Sequence, residues 1–174
     1  LHASKKRRPL ASAAISVQAG VLAAALLGLL GMVGAVLLDR GFALWLLLYV
    51  TLTLSYSLRL KAIALLDVFV LSLLYTLRIV MGVAILDVTP SPWLLVFSFF
   101  FFFSLSMAKR HVEIERAFAR GETGRIKGRG YTAMDGPLTL SLGTSSSAIA
   151  VTLLFLYVAQ DAYPAGYYRA PHRS

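Results

Sequence analysis

Charged side chains that could hold a phosphate group lie in three short patches separated by long apolar runs. The patches are KKRR at 5–8, RLK at 59–61 and the stretch 109–129, and they contain thirteen of the seventeen Lys and Arg residues. Carboxylates accompany the third patch in KRHVEIER, where Lys109 and Glu113 can be neighbours on a helix surface. Fixed Lys and Arg, together with Mg²⁺, stabilise the negative charge that a departing diphosphate gains. The residue types therefore indicate phosphate chemistry.

A second feature is a pair of ionisable residues inside the apolar run 63–86. Asp67 and Arg78 each cost roughly 2.5 to 3.5 kcal/mol to insert into a membrane, so such residues are rarely kept without a partner or a cavity. They are eleven residues apart, which on a helix places them on nearly the same face and roughly 16 Å apart. They cannot pair with each other. Each needs either a partner from another helix or a polar cavity.

The composition excludes an ordinary soluble domain, because 58% of the residues are hydrophobic, 14% are charged and the mean hydropathy is +0.74. The chain contains no Cys, which excludes disulfides and thiolate metal sites. We predict an all-α, polytopic transmembrane helix bundle that forms a single domain over 1–174, as a fragment of a longer protein. The runs long enough to cross a bilayer are 20–38, 42–58, 63–86, 92–108 and 138–159.

The distribution of positive charge predicts the orientation in the membrane. Alternate threading of the five spans places all three basic patches on one side, including the loop 109–136. Lys and Arg in short loops are retained in the cytoplasm, so we expect a multi-pass protein of the bacterial inner (plasma) membrane with its active-site loops in the cytoplasm. Nucleic acid is not an expected partner. The residues that give the net charge of +9 are distributed according to membrane topology and are not arrayed with exposed aromatic residues. The segment GETGRIKGRG at 121–130 is neither a Walker loop nor a dinucleotide fingerprint, but it could close over a phosphate.

Several segments together resemble a known family. HASKKRRPLAS, YSLRLK, LLDVFVLSLLYTLRIVMG, SPWLLVFSFFFFFSLSMAKRHVEIE and RGYTAMD, in this order, resemble the UbiA superfamily of intramembrane prenyltransferases, and within it the decaprenyl-phosphate phosphoribosyltransferase-like branch. The resemblance implies a bundle of about nine transmembrane helices around a central cavity, of which this chain would supply about five. It also implies Mg²⁺ as cofactor, with substrate phosphates bound through the metal to aspartate-rich loops.

The resemblance also shows where the chain departs from the family. The main Mg²⁺ ligands are expected upstream of Leu1, because the first aspartate-rich motif of the family precedes the segment matched by 2–12. Ala3 and Ala13 stand in place of the expected Pro and Gly. KRHVEIE lies where other branches carry a second aspartate-rich motif, and it matches the phosphoribosyl branch except that His111 replaces Tyr.

The resemblance and the charge chemistry together imply eight site residues. Those expected to bind substrate phosphates are Lys5, Arg8, Tyr56, Lys61, Lys109 and Arg110. Asp67 and Glu113 are the expected catalytic residues. Asp67 would orient a cation or the acceptor, and Glu113 would contact a ribose hydroxyl or Mg²⁺.

The function expected from this resemblance is Mg²⁺-dependent transfer of phosphoribose from phosphoribosyl diphosphate to polyprenyl phosphate. One alternative is an aromatic-acceptor polyprenyltransferase of the 4-hydroxybenzoate type, acting on a polyprenyl diphosphate. Two alternatives of another class are a membrane transporter and an inactive truncated remnant. The expected partners are the lipid bilayer, a polyprenyl phosphate or diphosphate, and a small phosphorylated or aromatic co-substrate.

Overall fold

The computed structural model describes residues 16–86, 88–122, 124–126 and 128–164, which form long helices and contain no β-strand. The helices are α1 Val17–Leu38, α2 Arg40–Leu58, α3 Leu66–Ile85, α4 Pro92–Ala119 and α5 Gly136–Tyr157. Five helical segments are long and apolar enough to cross a membrane. The predicted all-α, multi-pass membrane architecture is confirmed.

Short polar side chains fix where several helices begin. Ser16 accepts a hydrogen bond from the N–H of Ala19 at the start of α1. Asp39 ends α1 and its carboxylate accepts a hydrogen bond from the N–H of Phe42, at 2.6 Å, in the first turn of α2. Ser91 caps α4, which begins with Pro at its first position. These caps satisfy N–H groups that have no partner within the helix.

The chain divides within α2 into two compact units, 1–47 and 48–174. The first unit contains α1 and the beginning of α2. In the second unit α3 packs against α4, and α4 packs against α5. Its buried apolar side chains include Val68, Leu74, Met81, Met107 and Ile114.

The run of five Phe residues in α4 contributes to the packing between α3 and α4. The ring of Phe99 lies 5.3 Å from that of Phe69, edge to face, and the ring of Phe102 stacks on Tyr75 at 4.6 Å. Such aromatic pairs add stability beyond the area they bury. At least part of this run is therefore packing surface.

Helix α4 continues beyond the apolar run and through 109–119, the first part of the expected loop. Arg110, Ile114 and Ala117 are all buried in this extension. Their spacing of four and three residues places them on one helix face. The extension therefore presents a packed face to the rest of the unit, whereas Lys109, Glu115 and Arg116 are exposed.

The connection from α4 to α5 is docked against the turn between α2 and α3. Tyr131 and Ala133 are buried, and the N–H of Ile126 donates to the carbonyl of Tyr131 at 2.8 Å. The closest approach is at Gly130, where an added Cβ would lie 2.2 Å from the nitrogen of Ala64. A glycine is required at this position because any side chain would overlap backbone atoms.

We expect Gly130→Ala to undock this connection. The new methyl group cannot be accommodated without backbone movement, and such overpacking typically costs about 1 to 3 kcal/mol of unfolding free energy. The matched control is Gly124→Ala, because nothing lies within 4 Å of a Cβ built at Gly124. Reversible unfolding and protease cleavage of the complete protein would measure both effects. Equal stability and equal cleavage of the two variants would contradict the docked arrangement.

Candidate functional site

The site is built around the carboxylate of Asp67, in the first turn of α3. This side chain is completely buried. Its Oδ2 accepts a hydrogen bond from Nε of Arg110 at 2.6 Å, and its Oδ1 accepts one from the hydroxyl of Tyr131 at 2.9 Å. The partners come from α4 and from the α4–α5 connection. One buried charge therefore joins three segments of the chain.

Arg110 is the central cation of the site and is only 2% exposed. While Nε binds Asp67, Nη1 donates to Oε2 of Glu113 at 2.7 Å. Glu113 lies one turn further along α4, so the helix itself holds this second carboxylate in place. Buried charges are tolerated when they are paired and hydrogen-bonded. Arg110 meets this condition by bridging two carboxylates.

A second guanidinium, that of Arg129, faces the same two carboxylates from the α4–α5 connection. Its Nη1 lies 3.8 Å from Oδ2 of Asp67, and its Nε lies 3.5 Å from Oε2 of Glu113. Both distances exceed those made by Arg110. Nη1 of Arg129 is buried and has no hydrogen-bond partner among the described residues. The two carboxylates and two guanidiniums balance in formal charge, but Arg129 is held more loosely.

Tyr131 connects this cluster to a strained turn. Its hydroxyl donates to Asp67 and accepts from the N–H of Leu65 at 2.9 Å. Leu65 has φ of 64°, a left-handed conformation that costs a non-glycine residue about 1 to 3 kcal/mol. Burial, with a contribution from the charge of Asp67, raises the pKa of the Tyr131 hydroxyl above its usual value. The hydroxyl therefore stays protonated at neutral pH and remains a donor.

The structure brings together three of the eight residues expected from the sequence. Asp67, Arg110 and Glu113 form the cluster described above. Glu113 pairs with Arg110 and Arg129 instead of Lys109, because Arg110 lies on the buried face of α4 and Lys109 is exposed.

The remaining five expected residues either share no hydrogen bond or ion pair with the cluster or lie outside the described residues. Tyr56 is partly exposed on α2. Lys61, in the turn after α2, is exposed, and neither Lys61 nor Lys109 makes an ion pair within the part of the chain that the structure describes. Lys5 and Arg8 lie outside the described residues.

Sequence reasoning missed Arg129 and Tyr131 as members of the site. Both lie at the end of the glycine-rich segment, in the stretch RGYTAMD. The available signal was Tyr131 itself, a large aromatic residue that follows Gly130 in an otherwise polar loop. A buried Tyr usually has a hydrogen-bond partner for its hydroxyl.

Arg78, the other charged residue of α3, finds its partner on α2. Its Nε donates to the hydroxyl of Tyr49 at 2.8 Å, and its Nη2 donates to the same oxygen. The guanidinium carbon lies 5.2 Å from the ring centroid of Tyr49 and 5.1 Å from that of Tyr75. Such contacts with aromatic faces stabilise a cation. Arg78 thus contacts α2 through Tyr49 and takes no part in the Asp67 cluster.

The described residues do not fit a magnesium site. No group of three or more His, Cys, Asp or Glu side chains in this part of the chain could hold a metal ion. Both oxygens of Asp67 and one oxygen of Glu113 already bind guanidinium or hydroxyl groups. His111 faces the hydroxyl of Thr139, with Nδ1 at 3.2 Å from its oxygen. Of the four carboxylate oxygens in this cluster, the second oxygen of Glu113 makes no hydrogen bond within the described ranges.

Comparison with known proteins identifies the family. Residues 1–169 match the UbiA prenyltransferase family. The chain therefore belongs to this family of transferases, and the resemblance noted in the sequence is confirmed.

Three relatives show how the similarity is distributed. The uncharacterized protein y4nM of Sinorhizobium fredii is 47% identical over 161 residues, which cover 92% of this chain and 31% of the relative. The nodulation protein NoeC of Azorhizobium caulinodans is 34% identical over 166 residues, or 95% of this chain and 53% of the relative. The decaprenyl-phosphate phosphoribosyltransferase of Mycobacterium tuberculosis is 27% identical over 132 residues, which cover 76% of this chain and 44% of the relative. The chain thus spans between 31% and 53% of the length of these relatives.

We expect Asp67→Asn to destabilise the complete protein strongly. The substitution keeps the size of the side chain but removes a buried charge from beside Arg110, and breaking a buried pair typically costs about 3 to 5 kcal/mol of unfolding free energy. Glu122→Gln is the matched control, because it removes a carboxylate that pairs with Arg120 at the exposed surface. That exposed pair is screened by water, so its loss should leave stability nearly unchanged. Comparable unfolding midpoints for the two variants would contradict the assignment of Asp67 as a structural anchor.

Proposed function

We propose that the protein to which this chain belongs transfers phosphoribose from phosphoribosyl diphosphate to a polyprenyl phosphate. The observation that carries the proposal is the concentration of cationic groups at one end of the helical unit, around the cluster of Asp67, Arg110 and Glu113. The similarity of this chain to the mycobacterial decaprenyl-phosphate phosphoribosyltransferase supports this choice of substrates. The reaction would take place at the boundary between the membrane and water, where a lipid acceptor and a soluble donor can meet.

The orientation that we propose places this end of the unit in the cytoplasm of a bacterial inner membrane. The contacts of Asp67 with Arg110 and Tyr131 bring the start of α3, the extension of α4 and the α4–α5 connection to the same end. The turn that contains Lys61 immediately precedes α3. Membrane proteins retain Lys and Arg of short loops in the cytoplasm. The soluble donor, phosphoribosyl diphosphate, would then reach the site directly from the cytoplasm.

The chemistry that these residues would support is charge stabilisation. Transfer breaks the bond between the anomeric carbon and the diphosphate oxygen, and it forms a bond from the same carbon to a phosphate oxygen of the lipid. Negative charge builds up on the departing diphosphate. Lys61 and Lys109 are exposed and without ion-pair partners among the described residues, so they are available to bind its oxygens.

Glu113 would recognise the sugar. Its Oε2 is held by Arg110, and the side chain is 34% exposed. The second carboxylate oxygen can therefore accept a hydrogen bond from a ribose hydroxyl while the first remains fixed. Arg110, being buried, would act by positioning Glu113 and would not contact the substrate directly.

We include Mg²⁺ in this proposal because enzymes of the family are generally metal-dependent. The residues of this chain that the structure describes do not fit a metal site by themselves, as shown above. When bound elsewhere in the complete protein, Mg²⁺ would neutralise part of the diphosphate charge. The lysines of this chain would supply further positive charge.

The activity can be tested with the complete reading frame in membranes with Mg²⁺. One reaction contains radiolabelled phosphoribosyl diphosphate and polyprenyl phosphate, and another contains polyprenyl diphosphate and an aromatic acid. We expect label to enter the lipid fraction in the first reaction and no product in the second. Product in the second reaction alone would replace the proposal with an aromatic-acceptor prenyltransferase. Inactivity in both reactions, with the protein correctly inserted, would also contradict it.

A single substitution tests the role of the exposed lysine on α4. We expect Lys109→Gln to lower turnover by roughly tenfold or more, because a charge-assisted hydrogen bond is worth about 1.5 to 3 kcal/mol. Arg116→Gln is the matched control, since Arg116 is also an exposed cation of α4 and is outside the proposed site. Turnover should be unchanged in this control, and membrane insertion should be normal in both. Normal turnover of Lys109→Gln would remove Lys109 from the site.

A further inference from the structure

Arg78 is a cation within the apolar length of α3, apart from the Asp67 cluster. It lies twelve residues after Leu66 and seven residues before Ile85, the two ends of the helix. At 1.5 Å per residue, these separations are roughly 18 Å and 10 Å. The side chain is exposed on the described unit. A charge at such a depth is costly in a bilayer and is rarely kept without a partner or a polar cavity.

The guanidinium of Arg78 is directed towards the middle of α3. Its carbon lies 5.1 Å from the ring centroid of Tyr75, which is one turn nearer to the start of the helix. An arginine that reaches for lipid head groups extends towards the nearer end of its helix, which here is Ile85. Arg78 points away from that end. Its conformation therefore does not favour a lipid phosphate as the partner.

The contacts of Arg78 with the described residues are all made with neutral groups. Nε and Nη2 both donate to the hydroxyl oxygen of Tyr49, and the rings of Tyr49 and Tyr75 lie beside the guanidinium. No carboxylate in the described ranges lies within ion-pair distance of Arg78. Aromatic faces and a hydroxyl stabilise a cation but leave its net charge in place. This part of the chain therefore does not neutralise Arg78.

The remaining donors of Arg78 form an edge that suits a carboxylate. A guanidinium carries five N–H groups in a planar fork. Tyr49 takes that of Nε and one of those of Nη2, whereas Nη1 makes no hydrogen bond with the described residues. Nη1 and the second N–H of Nη2 lie side by side. Such a pair of donors matches the two oxygens of a carboxylate.

The surface of α3 around Arg78 leaves room for another helix. Tyr75, Arg78 and Gly82 are exposed, and their spacings of three and four residues place them on one side of α3. We refer to these three residues as the Arg78 face. Nothing lies within 4 Å of a Cβ built on Gly82. Small residues at such positions let membrane helices approach each other closely.

We propose that the Arg78 face packs against a further membrane-spanning helix of the complete protein, outside residues 1–174, and that this helix carries an Asp or Glu paired with Arg78. Charge complementarity supports a carboxylate, because the pair removes the net charge that Tyr49 leaves in place. This chain corresponds to 31% to 53% of the length of three relatives, so proteins of this kind have further segments able to supply the helix. The proposal does not depend on the reaction that the protein catalyses.

Photo-cross-linking of the complete protein in its membrane tests what covers this face. A benzoylphenylalanine at position 75 keeps an aromatic ring beside Arg78 and reacts with neighbouring C–H bonds. We expect mass spectrometry to identify a cross-linked membrane-spanning peptide from outside residues 1–174 that contains Asp or Glu. The same probe in place of Phe155, which is exposed on α5, is the matched control and should not capture this peptide. Cross-links only to lipid, to a second copy, to residues 1–174 or to a peptide without Asp or Glu would overturn the proposal.

Neutralising the charges tests the ion pair itself. Arg78→Gln leaves the partner carboxylate unpaired, so we expect a lower unfolding midpoint of the complete protein. Replacing the cross-linked Asp by Asn, or Glu by Gln, in the same variant should restore part of the loss, because no unpaired charge remains. Arg40→Gln is the matched control, since Arg40 is an exposed cation at the start of α2, and its midpoint should be unchanged.

A double variant that is no more stable than Arg78→Gln would contradict the ion pair. The cross-linked peptide is identified with Arg78 intact. That measurement therefore decides the proposal even when Arg78→Gln does not fold.

Discussion

The buried ion pair between Arg110 and Asp67 is the interaction on which this end of the helical unit depends. The two side chains are 2% and 0% exposed, and transferring each charge from water costs several kcal/mol. That cost is offset only if the remaining hydrogen-bonding groups are satisfied. Glu113 and Tyr131 provide these further bonds. The need of two buried charges for partners therefore fixes the positions of α3, α4 and the α4–α5 connection relative to one another.

This requirement separates two kinds of charged residue in the same region. Asp67 and Arg110 are fully engaged with protein groups, so they shape the site without being free to bind substrate. Lys61, Lys109 and Arg125 are exposed and lack ion-pair partners among the described residues. These exposed cations are suited to bind an anion that enters from water or from the membrane surface. Arg129 is intermediate between these two kinds, since it lies 3.8 Å from Asp67 and 3.5 Å from Glu113 and is held more loosely than Arg110.

Some of this arrangement follows from the sequence and some of it does not. The apolar runs predict the helices because the bilayer requires about twenty apolar residues for each span. The burial of Asp67 in an apolar run also predicts that it needs a partner. The identity of that partner depends on the length and rotation of α4, which continues to Ala119 because one face of the extension is buried. Periodicity of the apolar run alone does not carry that information.

Contacts made by the α4–α5 connection were harder to predict. Leu65 adopts a left-handed conformation that its residue type disfavours, and its N–H is satisfied by Tyr131, which is 66 residues away in the sequence. Local propensity cannot anticipate a conformation that is imposed by a distant side chain. The same applies to Gly130, whose requirement for a hydrogen atom in place of a side chain arises from the backbone of 62–64. Tertiary contacts of this kind determine the site, whereas composition determines only the class of fold.

The most direct test of the role of the buried cluster is a double-mutant cycle between Asp67 and Tyr131. The unfolding free energy of the complete protein is measured for Asp67→Asn, Tyr131→Phe and the double variant. Because the two side chains share a buried hydrogen bond, we expect a coupling energy of about 0.5 to 3 kcal/mol. A parallel cycle that combines Asp67→Asn with Tyr163→Phe, at an exposed tyrosine, should show no coupling energy. Additive effects of Asp67→Asn and Tyr131→Phe would show that the connection is not held through Asp67, and would contradict this account.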